Sequence, residues 1–353
     1  MKKYIDLEDM VNVNCSNVLD IIQKNGVVSR KAITDISGLS WGGMTKIVNK
    51  LLENGYITEK KQKNTSSSGR TPGVLTVNTE KNFVAGLDIN KTGLKAVVTD
   101  LTGKILKSYS APVYTAEKES FLEEITDFIG KVFSDFEKGL IISMGVAMQG
   151  IVDSRRGISV KFPDAEGWEN VPVKKLLEEK FGVSVFIEHD PDCLLYSQLG
   201  YGAKENAVLL RIDKSIGMAA AIGGRIIKGE GIFEIAHNVV MPGGAKCSCG
   251  MHGCMEAYIR PCMDGDKINT GAVGELMLPL AATVKNMCGI FNADRVILTG
   301  ALMEHEELFC NDLHDALASL DCNVKIEFLP LADFAVKGAA LIAVNKSINS
   351  LLI

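Results

Sequence analysis

The chain has 353 residues, of which 46% are hydrophobic and 23% charged, and its formal net charge is −5. That balance belongs to a folded chain with room for two or three cores, and it excludes a low-complexity or disordered one. No apolar run is long enough to cross a bilayer, and the opening MKKYIDLEDMVNV is broken by Asp6, Glu8 and Asp9, so neither a membrane span nor an export signal is read.

The charge is uneven. Residues 24–70 carry nine Lys or Arg against Asp35, Glu53 and Glu59, a local balance of +6 on an acidic chain. Such a segment points to a nucleic-acid contact confined to one end. Within it, residues 15–25 place Val18, Leu19, Ile21 and Ile22 on one helical face. Ser29 then caps a short helix with Ala32, Ile33 and Ile36 inward, and GLS (38–40) is a tight turn. A longer helix follows, with Met44, Ile47, Val48, Leu51 and Leu52 as its apolar stripe. This is the helix-turn-helix layout. Two strand-like runs around a Lys- and Ser-rich tip add a wing, where Arg70 is placed to enter a minor groove. Base reading is expected from Ser40, Trp41 and Thr45, and phosphate contacts from Lys46, Lys50 and the wing lysines.

From residue 83 the pattern changes. FVAGLDI, LKAVVTD, LIISMGVAMQGIV, VSVFIEHD, AVLLRID, MAAAIGGRII and DRVILTG are buried-type strands, with helical stretches between them. Alternation of this kind predicts an α/β fold whose ligands collect beyond the strand ends. Asp190 stands at one such end. A carboxylate there accepts a hydrogen bond or removes a hydroxyl proton, and it equally suits the cap of the helix that follows.

Residues 236–258, AHNVVMPGGAKCSCGMHGCMEAY, gather metal-type donors in a glycine-rich loop. His237, Cys247, Cys249 and Cys254 form a Cys₃His set suited to tetrahedral Zn²⁺. Four protein donors leave no open position, so the zinc is expected to be structural. Gly243, Gly244, Gly250 and Gly253 permit the tight turns, and His252 is set aside as a surface residue. Cys193, Cys262, Cys288, Cys310 and Cys322 read as small buried hydrophobes.

Taken together, these segments resemble the ROK family, named for repressors, open reading frames and kinases. The likeness rests on SRKAITDISGLS, SGRTPGVL, GVAMQGIVDSRRG with the later GW, EHD at the family's E-N-D position, and EIAH nine residues before CSCGMHGCME. It is to the repressor branch, which implies a winged helix-turn-helix over residues 1–82 and a two-lobed, actin-like (ribonuclease H-like) sugar-kinase domain over 83–353. Lobe one is expected at about 83–187 plus the C-terminal helix, and lobe two at about 188–331. The resemblance implies a sugar pocket between the lobes. Asp190 takes the place of the kinase base, and His189, Glu234, His237 and Glu256 join it as sugar contacts. The zinc would hold the loop that aims His237 and Glu256.

The chain departs from the family where the kinases bind ATP. D-x-G-G-T reads DINKTG, with Asn90 and Lys91 for the glycines; G-T-G-I-G reads DKSIG, with Asp213 first; and the late G-G keeps only Gly300. An aspartate facing a triphosphate is electrostatically wrong. His189 for Asn, Phe233 before Glu234, Ala236 before His237 and a shortened span between Ile259 and Leu280 are further differences. The expectation is a sugar-responsive, cytoplasmic DNA-binding repressor of carbohydrate-utilisation genes, homodimeric on operator DNA, answering to a sugar or sugar phosphate and without enzyme activity. The alternative is a sugar kinase carrying a DNA-binding arm.

Overall fold

The computed structural model describes residues 7–61, 73–91, 93–114, 117–163, 165–199, 204–228, 235–264, 267–330 and 333–350. Its first helices follow the apolar spacing. Helix α1 (Leu7–Asn25), strand β1 (Val28–Ser29), helix α2 (Arg30–Ser37), helix α3 (Trp41–Glu53) and strands β2 (Ile57–Lys61) and β3 (Gly73–Val77) form a winged helix-turn-helix. The three strands pair in the order β1-β3-β2. Ser29 accepts the Ala32 N–H and Ser40 accepts the Gly43 N–H, so each helix starts on a hydroxyl cap. Gly38, at φ 70°, ends α2 with its N–H on the Thr34 carbonyl, the left-handed stop that glycine adopts without a Cβ clash.

Val18, Leu19, Ile22, Ile33, Met44, Ile47, Val48 and Leu51 form the core of this segment. Ile36 corrects the sequence reading: it is 56% exposed, because a two-turn helix turns only a narrow side to its core and Ile33 fills it. The same core continues into Val84, Leu101, Ala343 and Val344, and Gln23 Nε2 donates to the Leu101 carbonyl. The pattern changes near residue 82, but the packing runs through.

The chain divides into two compact units, residues 1–150, 154–188 and 339–353 in the first and 151–153 and 189–338 in the second. Besides the winged segment, the first unit holds strands β4 (Phe83–Asn90), β5 (Gly93–Thr99) and β6 (Ile105–Ala111), helix α4 (Lys118–Ser134) and strand β7 (Ile141–Met148). After the short β8 (Ile151–Asp153), counted with the second unit, come β9 (Ile158–Lys161), β10 (Glu169–Val171), helix α5 (Val173–Phe181) and β11 (Ser184–His189). Its main sheet has the order β11-β7-β4-β5-β6. Strands buried on both faces explain the unbroken apolar runs in FVAGL and MGVAM.

The second unit begins with helix α6 (Asp190–Gln198) and strands β12 (Ala207–Ile212), β13 (Ile216–Ile222) and β14 (Arg225–Ile226). Helix α7 (Met255–Ile259), the small pair β15 (Met263–Asp264) and β16 (Lys267–Ile268) and the 22-residue helix α8 (Thr270–Phe291) follow. Strand β17 (Arg295–Thr299), helix α9 (Cys310–Ser319) and β18 (Lys325–Phe328) complete a sheet ordered β14-β13-β12-β17-β18. Helix α10 (Phe334–Ser350) begins in this unit and ends in the first. Cys193, Cys262 and Cys322 are buried as expected, whereas Cys288 and Cys310 are only partly covered, on helix sides that a small thiol does not fill. Among the described residues, no helix is long and apolar enough to cross a membrane.

Candidate functional site

The glycine-rich loop folds as its sequence suggests. Gly253, at φ 81°, donates its N–H to Ala245, and its carbonyl accepts Val240 and Met241. A Cβ there would overlap the Met241 carbonyl. Cys247 receives the Gly250 N–H on its carbonyl and donates its own to Met251, which turns CSCG back on itself. As a result the donor atoms of His237, Cys247, Cys249 and Cys254 all lie within 4.8 Å of one another. Cys249 and Cys254 Sγ are 3.7 Å apart, and Cys247 Sγ is 3.5 Å from His237 Nδ1. A tetrahedron with zinc–sulfur bonds of about 2.3 Å has edges of about 3.8 Å, so these spacings fit a four-coordinate ion.

The thiols of the cluster differ in their electrostatics. Burial, then the neighbouring thiols, push Cys254 up to about 12, whereas the backbone at Met251 holds Cys249 below the ordinary thiol value. A buried thiol that resists ionisation beside two others is stabilised as thiolate by a bound cation. Glu256, at the start of α7, places Oε2 3.6 Å from His237 Nδ1 and 3.2 Å from Ser248 Oγ, and Arg260 reaches its other oxygen at 3.9 Å. Ser248 and Arg260 are partners that the sequence reading missed; helical i,i+4 spacing from Glu256 was the available signal for Arg260.

A second cluster forms around Asp190. This carboxylate opens α6 and is 5% exposed. His189 Nε2 lies 3.5 Å from its Oδ1, so these two sequence-selected residues are side by side. Arg211, near the end of β12, donates Nη1 to Asp190 Oδ2 and Nε to Asp213 Oδ2, the latter at 2.7 Å. The other oxygen of Asp213 accepts the Ala301 N–H at 2.7 Å. Thus the aspartate in place of the family's first phosphate-loop glycine is hydrogen-bonded to the segment that replaces the late glycine pair. Arg211 was overlooked in the sequence; its signal is a lone guanidinium at the penultimate place of an otherwise apolar strand, AVLLRI.

The other altered loop is closed as well. Asn90 Nδ2 donates to Asp88 Oδ2 at 3.3 Å and the Lys91 N–H to Gln149 Oε1 at 3.2 Å, both within the first unit. In the winged segment, Trp41 is 58% exposed at the start of α3, Ser40 caps that helix, and Thr45 Oγ1 is turned back to the Trp41 carbonyl at 2.8 Å. Lys46 is exposed on α3, and Lys50, partly covered, lies in its last turn. Arg70 and Glu234 lie outside the described residues.

A profile of the ROK family matches residues 84–262, and one of winged helix-turn-helix DNA-binding domains matches residues 16–58. The xylose repressor of Bacillus spizizenii is 24% identical over 336 residues, covering 87% of each chain. The DNA-binding transcriptional repressor Mlc of Escherichia coli K12 is 28% identical over 71% of this chain and 63% of its own. A crystallised ROK family transcriptional regulator, a homologue of that Mlc, superposes with a TM-score of 0.83 at 18% identity over 98% of both chains. A glucokinase from Streptomyces griseus, solved with glucose and AMPPNP, superposes at 0.61 and 19% identity over 74% of this chain and 99% of its own. The matched segments span the donor loop, the Asp190 strand end and the winged helices, and the chain belongs to the ROK family, with a winged helix-turn-helix ahead of the family domain.

Proposed function

We propose that the protein is a sugar-responsive transcriptional repressor of carbohydrate-utilisation genes, acting in the cytoplasm as a homodimer on operator DNA. The observation that carries this reading is the closed phosphate turn: Asp213 is bonded to Arg211 and Ala301 in a chain that also bears a winged helix. Phosphoryl transfer needs that region open to the triphosphate, and a carboxylate fixed there repels it. A repressor relative matched over 87% of this chain, more than the lobes alone make up, supports the same reading. Trp41, Ser40 and Thr45 would face base edges, while Lys46, Lys50 and Arg70 would meet phosphates.

In this reading Asp190, His189, Glu234, His237 and Glu256 hold a polyhydroxyl ligand. Carboxylates suit it because each accepts hydrogen bonds from neighbouring hydroxyls. His237, Cys247, Cys249 and Cys254 would hold one Zn²⁺, which supplies a cross-link with no open coordination position. The protein's own contribution is to fix His237 and Glu256 on that cross-linked loop. Sugar changes DNA binding only by the difference of its affinities for the two states.

A gel shift with the DNA upstream of the protein's own gene, with and without xylose, glucose or N-acetylglucosamine, tests the proposal. A retarded band that one of these sugars shifts at least about tenfold in protein concentration is expected. Steady release of ADP over the same sugars, abolished in Asp190→Asn, would instead establish the kinase.

A further inference from the structure

Arg211 is assigned no role by the family motifs, yet it stands in the middle of the second unit's charged groups. It is the penultimate residue of β12, whose preceding residues Ala207, Val208, Leu209 and Leu210 are wholly buried. A guanidinium at such a place is tolerated only when paired. Here it is paired twice, with Asp190 through Nη1 and with Asp213 through Nε. In the parallel pairing of β12 with β17, Arg211 lies beside Thr299, two residues before Ala301, whose N–H holds the other Asp213 oxygen. A continuous series of charge-assisted bonds therefore runs from a backbone amide through Asp213 and Arg211 to Asp190. Strand ends of this kind are where α/β folds bind ligands.

This arrangement acts on the orientation of Asp190. A carboxylate at the start of a helix is free to turn about its side-chain torsions unless something holds an oxygen. Arg211 takes Oδ2; Oδ1 has His189 Nε2 at 3.5 Å. The planar fork of a guanidinium bonds two carboxylates at fixed angles, which a lysine ammonium on a flexible stem does not reproduce. Asp213, fixed by the Ala301 amide, keeps the fork from swinging.

We propose that Arg211 is a positioning residue of the sugar site: it holds Asp190 Oδ2 so that Oδ1 accepts the sugar hydroxyl. The inference rests on the assignment of Asp190 as a sugar contact. It makes the ion series from Ala301 to Asp190 a working part of ligand recognition as well as a block to nucleotide.

Titration calorimetry of the full chain with xylose, glucose and N-acetylglucosamine tests it, using Arg211→Ala, Arg211→Lys and Asp213→Asn. For the sugar that the unaltered protein binds, Arg211→Ala is expected to weaken affinity at least about tenfold, with Arg211→Lys and Asp213→Asn between the two. Millimolar methylguanidinium should restore most of the affinity of Arg211→Ala, which a loss through general loosening of the fold would not do. If Arg211→Ala does not fold, the two conservative variants carry the test through the same ordering. Unchanged affinity in the Arg211 variants, or a loss that methylguanidinium leaves untouched, overturns the inference alone. An unaltered protein that binds none of the three sugars overturns the sugar-site reading and this inference with it.

Discussion

The donor loop around Cys247 and the turn at Asp213 lie in the same unit; the turn joins β12 to β13, and the loop bends at Gly250 and Gly253, both at positive φ. Their side chains behave in opposite ways. In the loop, four donors converge with one another and with Glu256, an arrangement of metal-type ligands. In the turn, each charge already has an opposite partner: Asp213 has Arg211 and the Ala301 amide, and Arg211 has Asp190. Convergent like groups suit a cation, whereas paired opposite groups hold one another's orientation. The contrast is one of donor chemistry and pairing, read from the geometry alone.

The largest test breaks the loop. Cys249→Ala is expected to reduce zinc, measured by plasma mass spectrometry, from near one per chain to near zero. It should also lower the melting temperature by several degrees, since metal binding and folding of such loops are linked. A folded, metal-free unaltered protein would remove the metal from this side of the comparison. The next effect is at Gly253→Ala. The positive φ and the blocked Met241 carbonyl together predict a loss of more than about 2 kcal/mol in urea unfolding, with zinc weakened in parallel.

The turn should respond more mildly. Asp213→Ala leaves the Ala301 N–H without this partner and deprives Arg211 of one carboxylate, a cost of about 1–3 kcal/mol read by the same unfolding curves. A stabilised variant would show that the turn holds a strained anion and not a satisfied one. The smallest effect lies in the winged segment. The Arg30 guanidinium, through its hydrogen bonds, holds Glu59 below the usual carboxylate range. The folded state thus favours the charged form, so its stabilisation is present above the unfolded carboxylate value. It is lost as pH falls through the lower folded value. With both side chains partly exposed, Glu59→Gln should cost under about 1 kcal/mol at pH 7. The difference from the unaltered protein should shrink as acid protonates the Glu59 carboxylate.

Much of this architecture was readable in the residues. The period of Val18, Leu19 and Ile22, the serines at 29 and 40 and Gly38 specify the helices and turn of the winged segment through local rules. Ile36 escaped them because its exposure depends on how much of α2 the neighbouring helix covers. The Cys₃His set was equally legible, since donor type and spacing lie within one loop. The partner of Asp190 was not. Arg211 and Asp190 are separated by 21 residues and meet only because β12 ends beside the start of α6.

By itself the sequence indicated the winged helices, the long central strands and a set of donors that converge in one loop, because propensity, capping and donor identity are local properties. Only the tertiary structure decided that Asp213 is bonded to the Ala301 amide, that Arg211 stands between two carboxylates, and that the core of α1 continues into Val84 and Val344. Those facts depend on strand order and on helices meeting across the chain, and the free energy of such contacts is fixed by distance and burial that no single stretch of residues contains.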